Sequence, residues 1–319
     1  MIRNLIGDHA SKAAHPHPRL IVLVMKLRDT LLAILVTAIW GLNFSVIKLG
    51  LQSTDPFVLA GIRFTLSALP AVLFIRRPAV PLSHLAAYGL LFGVGLWGIV
   101  NLGIQAGLSA GIASLVLQFS AVLTILLGAA VFREAVSRYQ FAGIAISLLG
   151  LACVIAITDG SATPAGIALV IVGALAWSGA NLVIKLSGTR EVLAFLVWSS
   201  LFSPLPLFAI AWLQHGAAVY AATFAHFDGK AVFSILFQVY PTTLFGYGVW
   251  NLLLRKYPVS TVAPLSLLVP IFGMLGSALI FGEPIGPLKL LATALIVLGL
   301  AVGLYGKHLG ARLARRAGT

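Results

Sequence analysis

Apolar residues run along this chain in long blocks, interrupted by short stretches carrying charge, Gly or Pro. Ten such blocks can be bounded, over residues 30–49, 57–75, 85–103, 107–132, 139–157, 164–184, 192–213, 231–254, 260–281 and 287–305. Each is close to the ~20 residues that a helix needs to cross the hydrocarbon core of a bilayer. From Pro78 to Phe132 there is no Asp, Glu, Lys or Arg, and this stretch is divided near 103–111, where Gly and Ser cluster. The pattern predicts an all-α integral membrane protein of ten transmembrane helices with no soluble catalytic domain. Residues 1–28 are polar, with His15, Pro16, His17 and Pro18, and the apolar stretch 20–25 is too short to span. No small-residue cleavage site follows it, so it is read as a disordered tail that export does not need, with Met25 as an alternative start. Residues 307–319 read as a second, basic tail.

Composition agrees with the pattern. The 319 residues are 60% hydrophobic and only 9% charged, against roughly 25% charged in soluble domains. Such a surface needs lipid as its solvent. The net charge of +13 comes from basic residues between the apolar blocks, without interleaved aromatics, so it reports orientation rather than a nucleic-acid partner. With the N-terminus in the cytoplasm, 17 of the 21 basic residues fall on the cytoplasmic side, all but Lys48, Arg63, Lys230 and Lys289. That bias predicts that both termini are cytoplasmic. Cys153, the one cysteine, lies inside an apolar block and reads as packing.

The chain also repeats itself. Trp40 with Val46, Ile47, Lys48 and Leu49 recurs as Trp177 with Val183, Ile184, Lys185 and Leu186, an offset of 137. Phe132 and Glu134, followed by Leu149, Gly150 and Leu151, recur as Phe281 and Glu283, followed by Leu298, Gly299 and Leu300, an offset of 149. The 12-residue difference fits a longer loop around 214–230. A third match, Leu91-Phe92-Gly93 through Trp97 with Leu244-Phe245-Gly246 through Trp250, has an offset of 153, one helical turn out of phase. Five spans per repeat is an odd number, so the repeats, over 29–158 and 159–306, must cross the membrane in opposite senses. Inverted repeats are a recurrent design of secondary transporters, whose substrate site lies at the repeat interface.

Several segments resemble the EamA-type drug/metabolite transporters. They are Trp40-Gly41-Leu42-Asn43-Phe44 through Lys48, Ala60-Gly61 with Arg63-Phe64, and Ala113-Ser114-Leu115-Val116-Leu117-Gln118. Gly246-Tyr247-Gly248-Val249-Trp250 and Ala263-Pro264-Leu265-Ser266-Leu267-Leu268-Val269-Pro270 complete the set. The resemblance covers about 29–305 and implies ten helices in two five-helix repeats and export of small metabolites. It is nearest to members that export O-acetylserine- and cysteine-like compounds, although Trp97 and Asn101 depart from their pattern. Other metabolites or drugs are the alternative cargo.

Polar and aromatic residues inside the spans are the candidate substrate-binding residues. Trp97, Asn101 and Gln105 share one helical face, as do Trp177, Asn181 and Lys185. Tyr240, Thr243, Tyr247, Trp250 and Asn251 form a third stripe, Trp40 and Asn43 a fourth, and Gln118 stands alone. Two readings compete: such residues join helices through interhelical hydrogen bonds, or they line a polar cavity. Asn43, Asn101, Gln118, Asn181 and Tyr247 are expected to share one central cavity. Trp198 and Trp212 are read as interfacial anchors, and Lys185 as a topology charge.

Lys48 and Arg63 are the charges that fall within the outward half of the spans, with no carboxylate expected at their depth. Lys48 reads as snorkelling to the interface, and Arg63 as functional, with a substrate carboxylate as its natural partner. Pro241, Pro264 and Pro270 free backbone carbonyls inside helices or simply kink them. Glu134 and Glu283 read as caps of the helices that follow. An intramembrane enzyme would need a nucleophile and base, a carboxylate pair or metal ligands. All seven His lie in tails or loops and all eight acids at loops or helix ends. No catalytic residue, metal or cofactor is therefore expected, and no phosphate-binding loop offers ATP a place. A multidrug-cation pump would want an embedded carboxylate, which is not found. Export down a metabolic gradient, without a coupling proton, follows as the expected energetics. The expected partners are the bilayer and a small amino-acid-like substrate, with oligomeric state left open, monomer included.

Overall fold

The computed structural model describes residues 25–133 and 135–317, except the side chains of 259–260 and 307–317. The tail expected before Met25, and Glu134, therefore lie outside the described residues. Among the described residues, ten helices are long and apolar enough to span. They are α1 (Leu27–Gly50), α2 (Pro56–Phe74), α3 (Leu82–Gln105), α4 (Ala110–Phe132) and α5 (Arg138–Ile155), then α6 (Pro164–Ser187), α7 (Val192–His215), α8 (Gly229–Lys256), α9 (Ala263–Phe281) and α10 (Pro287–Gly306). The helix of α10 runs on to Ala317, so the basic tail begins as helix. Phe74 and Leu279 are each 82% exposed. Side chains this apolar on the outside are at home only against lipid, and the chain is a multi-pass membrane protein.

Local chemistry sets the ends. Asp55 accepts the N–H groups of Phe57 and Val58 ahead of Pro56, and Thr163 caps α6 ahead of Pro164. A capping box of Ser137 and Gln140 opens α5. Gly188 and Gly282, with φ of 62° and 66°, close α6 and α9 in the left-handed conformation that glycine adopts without strain.

The spans are not uniform helices. α3 and α8 contain π-helical segments, Leu90–Gly98 and Gln238–Gly246. Their starts at 90 and 238 are 148 residues apart, in step with the 149 between Phe132 and Phe281. The Leu91 and Leu244 match, at 153, is out of register with the fold. A short helix, Ala218–Ala225, occupies the longer α7–α8 connection and accounts for the extra residues of the second repeat.

Packing reproduces the repeat in three dimensions. α1 lies against α8 and α9 of the second half, and α6 lies against α3 and α4 of the first. α2 faces α7, and α5 faces α10. Advancing every helix by five turns each pair into another of these pairs or into itself. That is the signature of a pseudo-twofold axis in the membrane plane, and the fold is two inverted five-helix repeats. Close approach rests on small residues: a Cβ on Gly143 would sit 2.4 Å from the Gly299 carbonyl oxygen and 2.6 Å from the Gly303 nitrogen. Lys48, Asp55, Asp159, Asp228, Glu283 and Lys289 gather at one end of the bundle, and Asp29, Lys185 and Lys256 at the other.

Candidate functional site

The centre of the bundle is organised by Arg63. Asp55 and Pro56 start α2, and two turns later Arg63 points inward, 1% exposed. Its Nη1 donates to Gln238 Oε1 at 3.2 Å and its Nη2 to Thr243 Oγ1 at 3.3 Å, both on α8. The guanidinium lies over the Trp97 ring at 4.4 Å, an arrangement in which the ring's negative face meets the cation. Gln238 and Thr243 are five residues apart. Only the wider π turn puts an i, i+5 pair on one face, and such turns recur at functional sites. Thr243 also donates to the Gln238 carbonyl at 2.7 Å, and Trp40 Nε1 to the Thr242 carbonyl at 3.0 Å. Side chains thus satisfy carbonyls of the distorted segment that holds Pro241.

Aromatic rings wall this centre. Trp40 meets Tyr247 and Trp250, each at 5.1 Å, while Phe92 meets Tyr247 at 6.2 Å and Trp97 at 6.5 Å. Phe44 meets Trp97 at 5.9 Å. Asn43, fully buried, accepts from Thr242 Oγ1 at 3.1 Å. Asn43 Nδ2, Trp97 Nε1 and Arg63 Nε are buried donors without an acceptor. No carboxylate pairs with Arg63 among the described residues: Asp29 takes Lys256 and Tyr257, Asp55 faces His215, Asp159 takes Lys289 and Glu283 takes Lys48. The centre therefore has donors and positive charge in excess of acceptors.

Lys48 was expected to snorkel with no acid nearby, and here the structure differs. Its Nζ meets Glu283 Oε1 at 2.5 Å and lies over the Phe281 ring at 4.6 Å. The left-handed turn at Gly282 sends Glu283 back toward α1 rather than onward to cap α10, and Ser277 Oγ donates to its other oxygen at 2.5 Å. Burial pushes the Glu283 carboxyl up, but bonds from Lys48 and Ser277 outweigh it and hold the group below the usual carboxylate range.

The single shared cavity also needs correction. Asn43, Trp40, Trp97 and Tyr247 gather with Arg63. Asn181 does not; it donates to Thr124 Oγ1 at 3.3 Å on the wall of a separate cavity of about 190 Å³ between α4, α5 and α6. Lys185 lines the same cavity and lies over Phe132 at 4.2 Å. Asn101, fully buried, donates to the Pro56 carbonyl at 3.2 Å and joins α3 to α2. Gln118 is half-buried at the break in α4, Trp177 is half-buried on α6, and Asn251 lies next to Trp250 toward the end of α8. Tyr240 is 51% exposed and faces outward, because the π segment rotates it off the stripe that regular helical spacing assigned. Trp198 donates to the Ile75 carbonyl at 2.9 Å and so ties α7 to the end of α2 instead of standing as an anchor. The residues that spacing alone missed are Gln238 and Thr242, hidden by the same rotation, and Glu283, mistaken for a cap.

With this geometry in hand, the chain was compared with known proteins. The EamA-like transporter family matches residues 28–156 and again residues 164–305. A Salmonella typhimurium protein described as a probable amino-acid metabolite efflux pump is 38% identical over 288 residues, 88% of this chain and 96% of that one. The Escherichia coli K12 protein of the same description is 36% identical over the same extent. A probable terminal-alkyne amino-acid exporter of Streptantibioticus cattleyicolor is 27% identical over 299 residues, 86% of this chain and 93% of that one. A crystal structure 19% identical in sequence superposes with a TM-score of 0.58, over 92% of this chain and all of that one, and so shares the fold.

Proposed function

The chain belongs to the EamA-like transporter family, and from that premise we propose that it exports amino-acid metabolites, of the O-acetylserine and cysteine kind, across a bacterial inner membrane by alternating access. The observation that carries this reading is Arg63, a permanently charged group buried at the repeat interface with no acid of its own. Hydrocarbon tolerates such a cation only where it meets a partner or an aqueous path. A substrate carboxylate meets that need, and the free donors of Asn43 and Trp97 extend the same acceptor-seeking surface. The aromatic rings of Trp40, Phe44, Phe92 and Tyr247 offer contact for a short side chain or acyl group. The names of the Salmonella and Escherichia coli relatives point to the same cargo class. Both termini are cytoplasmic in this reading, which puts the Lys48 end outside and the Lys185 end inside.

Energetics follow from the acids. At the Lys48 end, bonds from Lys48 and Ser277 hold the Glu283 carboxyl below the usual carboxylate range and so ionised at neutral pH. In this reading Glu283 carries no coupling proton, and efflux runs down the metabolite gradient. The test is efflux from proteoliposomes preloaded with O-acetylserine, cysteine, other amino acids or an organic cation, with and without an imposed pH gradient at zero membrane potential. Efflux of amino-acid metabolites but not of the cation, unaltered by the pH gradient, is expected. Efflux of the cation alone would overturn the cargo, and efflux against a gradient driven by ΔpH would overturn the energetics.

A further inference from the structure

An amino acid brings a cation with its carboxylate, and Arg63 answers only the carboxylate. The cation meets no acid in the centre: among the described residues, Asp29, Asp55, Asp159, Glu191, Asp228 and Glu283 all stand at helix ends or in loops. An ammonium held out of water without a partner is costly. Ring faces are the source of negative potential that remains, because the quadrupole of an aromatic ring is negative over its face. The rings lie in contact from Arg63 onward. The guanidinium covers Trp97, and Phe92 meets Trp97 at 82° and Tyr247 at 76°, so that it bridges the two. Trp40 then meets both Tyr247 and Trp250 at 5.1 Å.

Local structure sets three of these rings for the cation. Along α8, Thr243, Tyr247 and Trp250 are spaced i, i+4, i+7 and share a face, and Thr243 is the residue that accepts from Arg63. Tyr247 stands about one turn, roughly 5 Å, along the axis from Thr243, a step comparable with the ~6 Å over which a ring face attracts a cation. An α-amino acid carries its nitrogen one carbon from its carboxylate, so a carboxylate at Arg63 leaves the nitrogen to reach across that step. Trp40 Nε1 is tied to the Thr242 carbonyl at 3.0 Å, and its edge enters the space left by Gly246, where a Cβ would fall 2.6 Å from that nitrogen. The edge is thereby used, and the faces turn to Tyr247 and Trp250 at 46° and 52°. Rings so tilted do not stack. Trp40, Tyr247 and Trp250 are half-buried, whereas Phe92 and Trp97 are sealed.

We infer that the faces of Trp40, Tyr247 and Trp250 form a subsite for the cationic nitrogen of the substrate, and that the cargo class extends to amino acids whose nitrogen is fully methylated. This rests on the reading of Arg63 as the site of the substrate carboxylate. A ring face attracts a cation by its charge and needs no N–H, so a trimethylated nitrogen is as welcome there as an ammonium. An acid in the same place would lose its hydrogen bonds to a methylated nitrogen and would discriminate against it.

The probes are S-methylcysteine, its N-trimethyl form and its N-acetyl form, titrated calorimetrically into the detergent-solubilised full-length protein. The first two should bind within about threefold of each other, and the N-acetyl acid, which has the carboxylate but no cation, about tenfold more weakly. Tyr247→Leu should erase most of that preference, and Tyr247→Phe, which keeps the ring face, should retain it. Tetramethylammonium is the probe without a carboxylate. It should bind Arg63→Met, where the repelling guanidinium is gone, and lose that binding when Tyr247→Leu is added. Failure of the trimethyl form alone to bind would show that the nitrogen is held through its N–H groups and would overturn the subsite. A preference for the cation that Tyr247→Leu leaves intact would overturn it as well. Tetramethylammonium binding that follows the expected pattern, with none of the three acids bound by the wild type, would overturn the amino-acid cargo and leave the ring subsite standing.

Discussion

Replacing Arg63 by methionine separates the substrate role of this residue from its structural one. The side chain makes two hydrogen bonds from a charged donor and lies over Trp97 at 4.4 Å. Hydrogen bonds involving a charged group contribute about 1.5–3 kcal/mol each, and a desolvated cation over Trp adds about 2 kcal/mol. Against this stands the cost of holding a guanidinium out of water, still several kcal/mol per ion after relaxation. These terms oppose one another and are of similar size. Gln238 Nε2 keeps its bond to Ser234 Oγ at 3.0 Å, and Thr243 keeps its bond to the Gln238 carbonyl, so the acceptor left without a donor is Gln238 Oε1, a cost of about 1–3 kcal/mol that the relief of guanidinium desolvation offsets. Arg63→Met should therefore stay folded, with thermal unfolding in detergent shifted by no more than about 4 °C, the equivalent of about 1 kcal/mol. Transport should respond quite differently. Leaving a desolvated carboxylate without its cation costs about 3 kcal/mol or more, so KM for an amino-acid metabolite should rise about a hundredfold. The same arithmetic applies to cargo: the wild-type protein should discriminate about a hundredfold against the methyl ester of its substrate, and Arg63→Met should handle acid and ester alike. Efflux from proteoliposomes measures both. An unchanged KM, or ester discrimination that survives in the variant, would refute the carboxylate role. Normal discrimination with a collapse in thermal stability would show that Arg63 only holds α2 to α8.

Two further expectations concern the scaffold. Asp159 accepts a bond from Lys289, which holds its carboxyl down at about 2. A carboxyl depressed on folding stabilises the fold above its unfolded value of about 3.9 and loses that contribution as pH falls toward 2. Unfolding temperatures of Asp159→Asn and the wild type should therefore differ above about pH 5 and converge near pH 2, and a gap that persists at low pH would refute the assignment. Gly143→Leu should prevent α5 from closing on α10, since even a Cβ meets the backbone of Gly299 and Gly303 at 2.4–2.7 Å. Size-exclusion chromatography in mild detergent should show aggregated or absent protein, and a monodisperse peak with normal stability would mean that this seam is not tight.

Spans were easier to read than sites, and the reasons are physical. Lipid demands long apolar runs, and the distance across a bilayer sets their length, so all ten helices could be located from composition. The inverted repeat was legible because Trp40 and Trp177, or Phe132 and Phe281, keep their spacing to other landmarks. The site depended on phase, which composition does not record. Regular helical spacing put Tyr240 on the inner face and gave Gln238 no role; the π segment exchanges them, and nothing local marks it except Pro241. Trp97 and Arg63 were each singled out on different helices, yet their contact is tertiary and no spacing within either helix encodes it. Glu283 misled for a related reason. A glutamate after a helix end reads as a cap of the next helix, but Gly282 in the left-handed conformation turns it back toward Lys48, 235 residues away in sequence.

The placement of charge along the membrane normal separates one deeply buried cation from the lysines that meet acids at the ends of the bundle. Lys48, Lys256 and Lys289 each meet an acid at an end of the bundle, where at least one member of each pair keeps access to water. Such pairs are weak because water competes with them. Arg63 sits where water does not compete, so an acid built into the protein beside it would hold it permanently and leave nothing for a substrate to neutralise. Its protein partners are instead the neutral Gln238 and Thr243, which orient the guanidinium without cancelling its charge. A carboxylate arriving there gains most while the centre is closed off from both sides. In the proposed alternating-access cycle, the same binding that selects the cargo would thereby favour the occluded form.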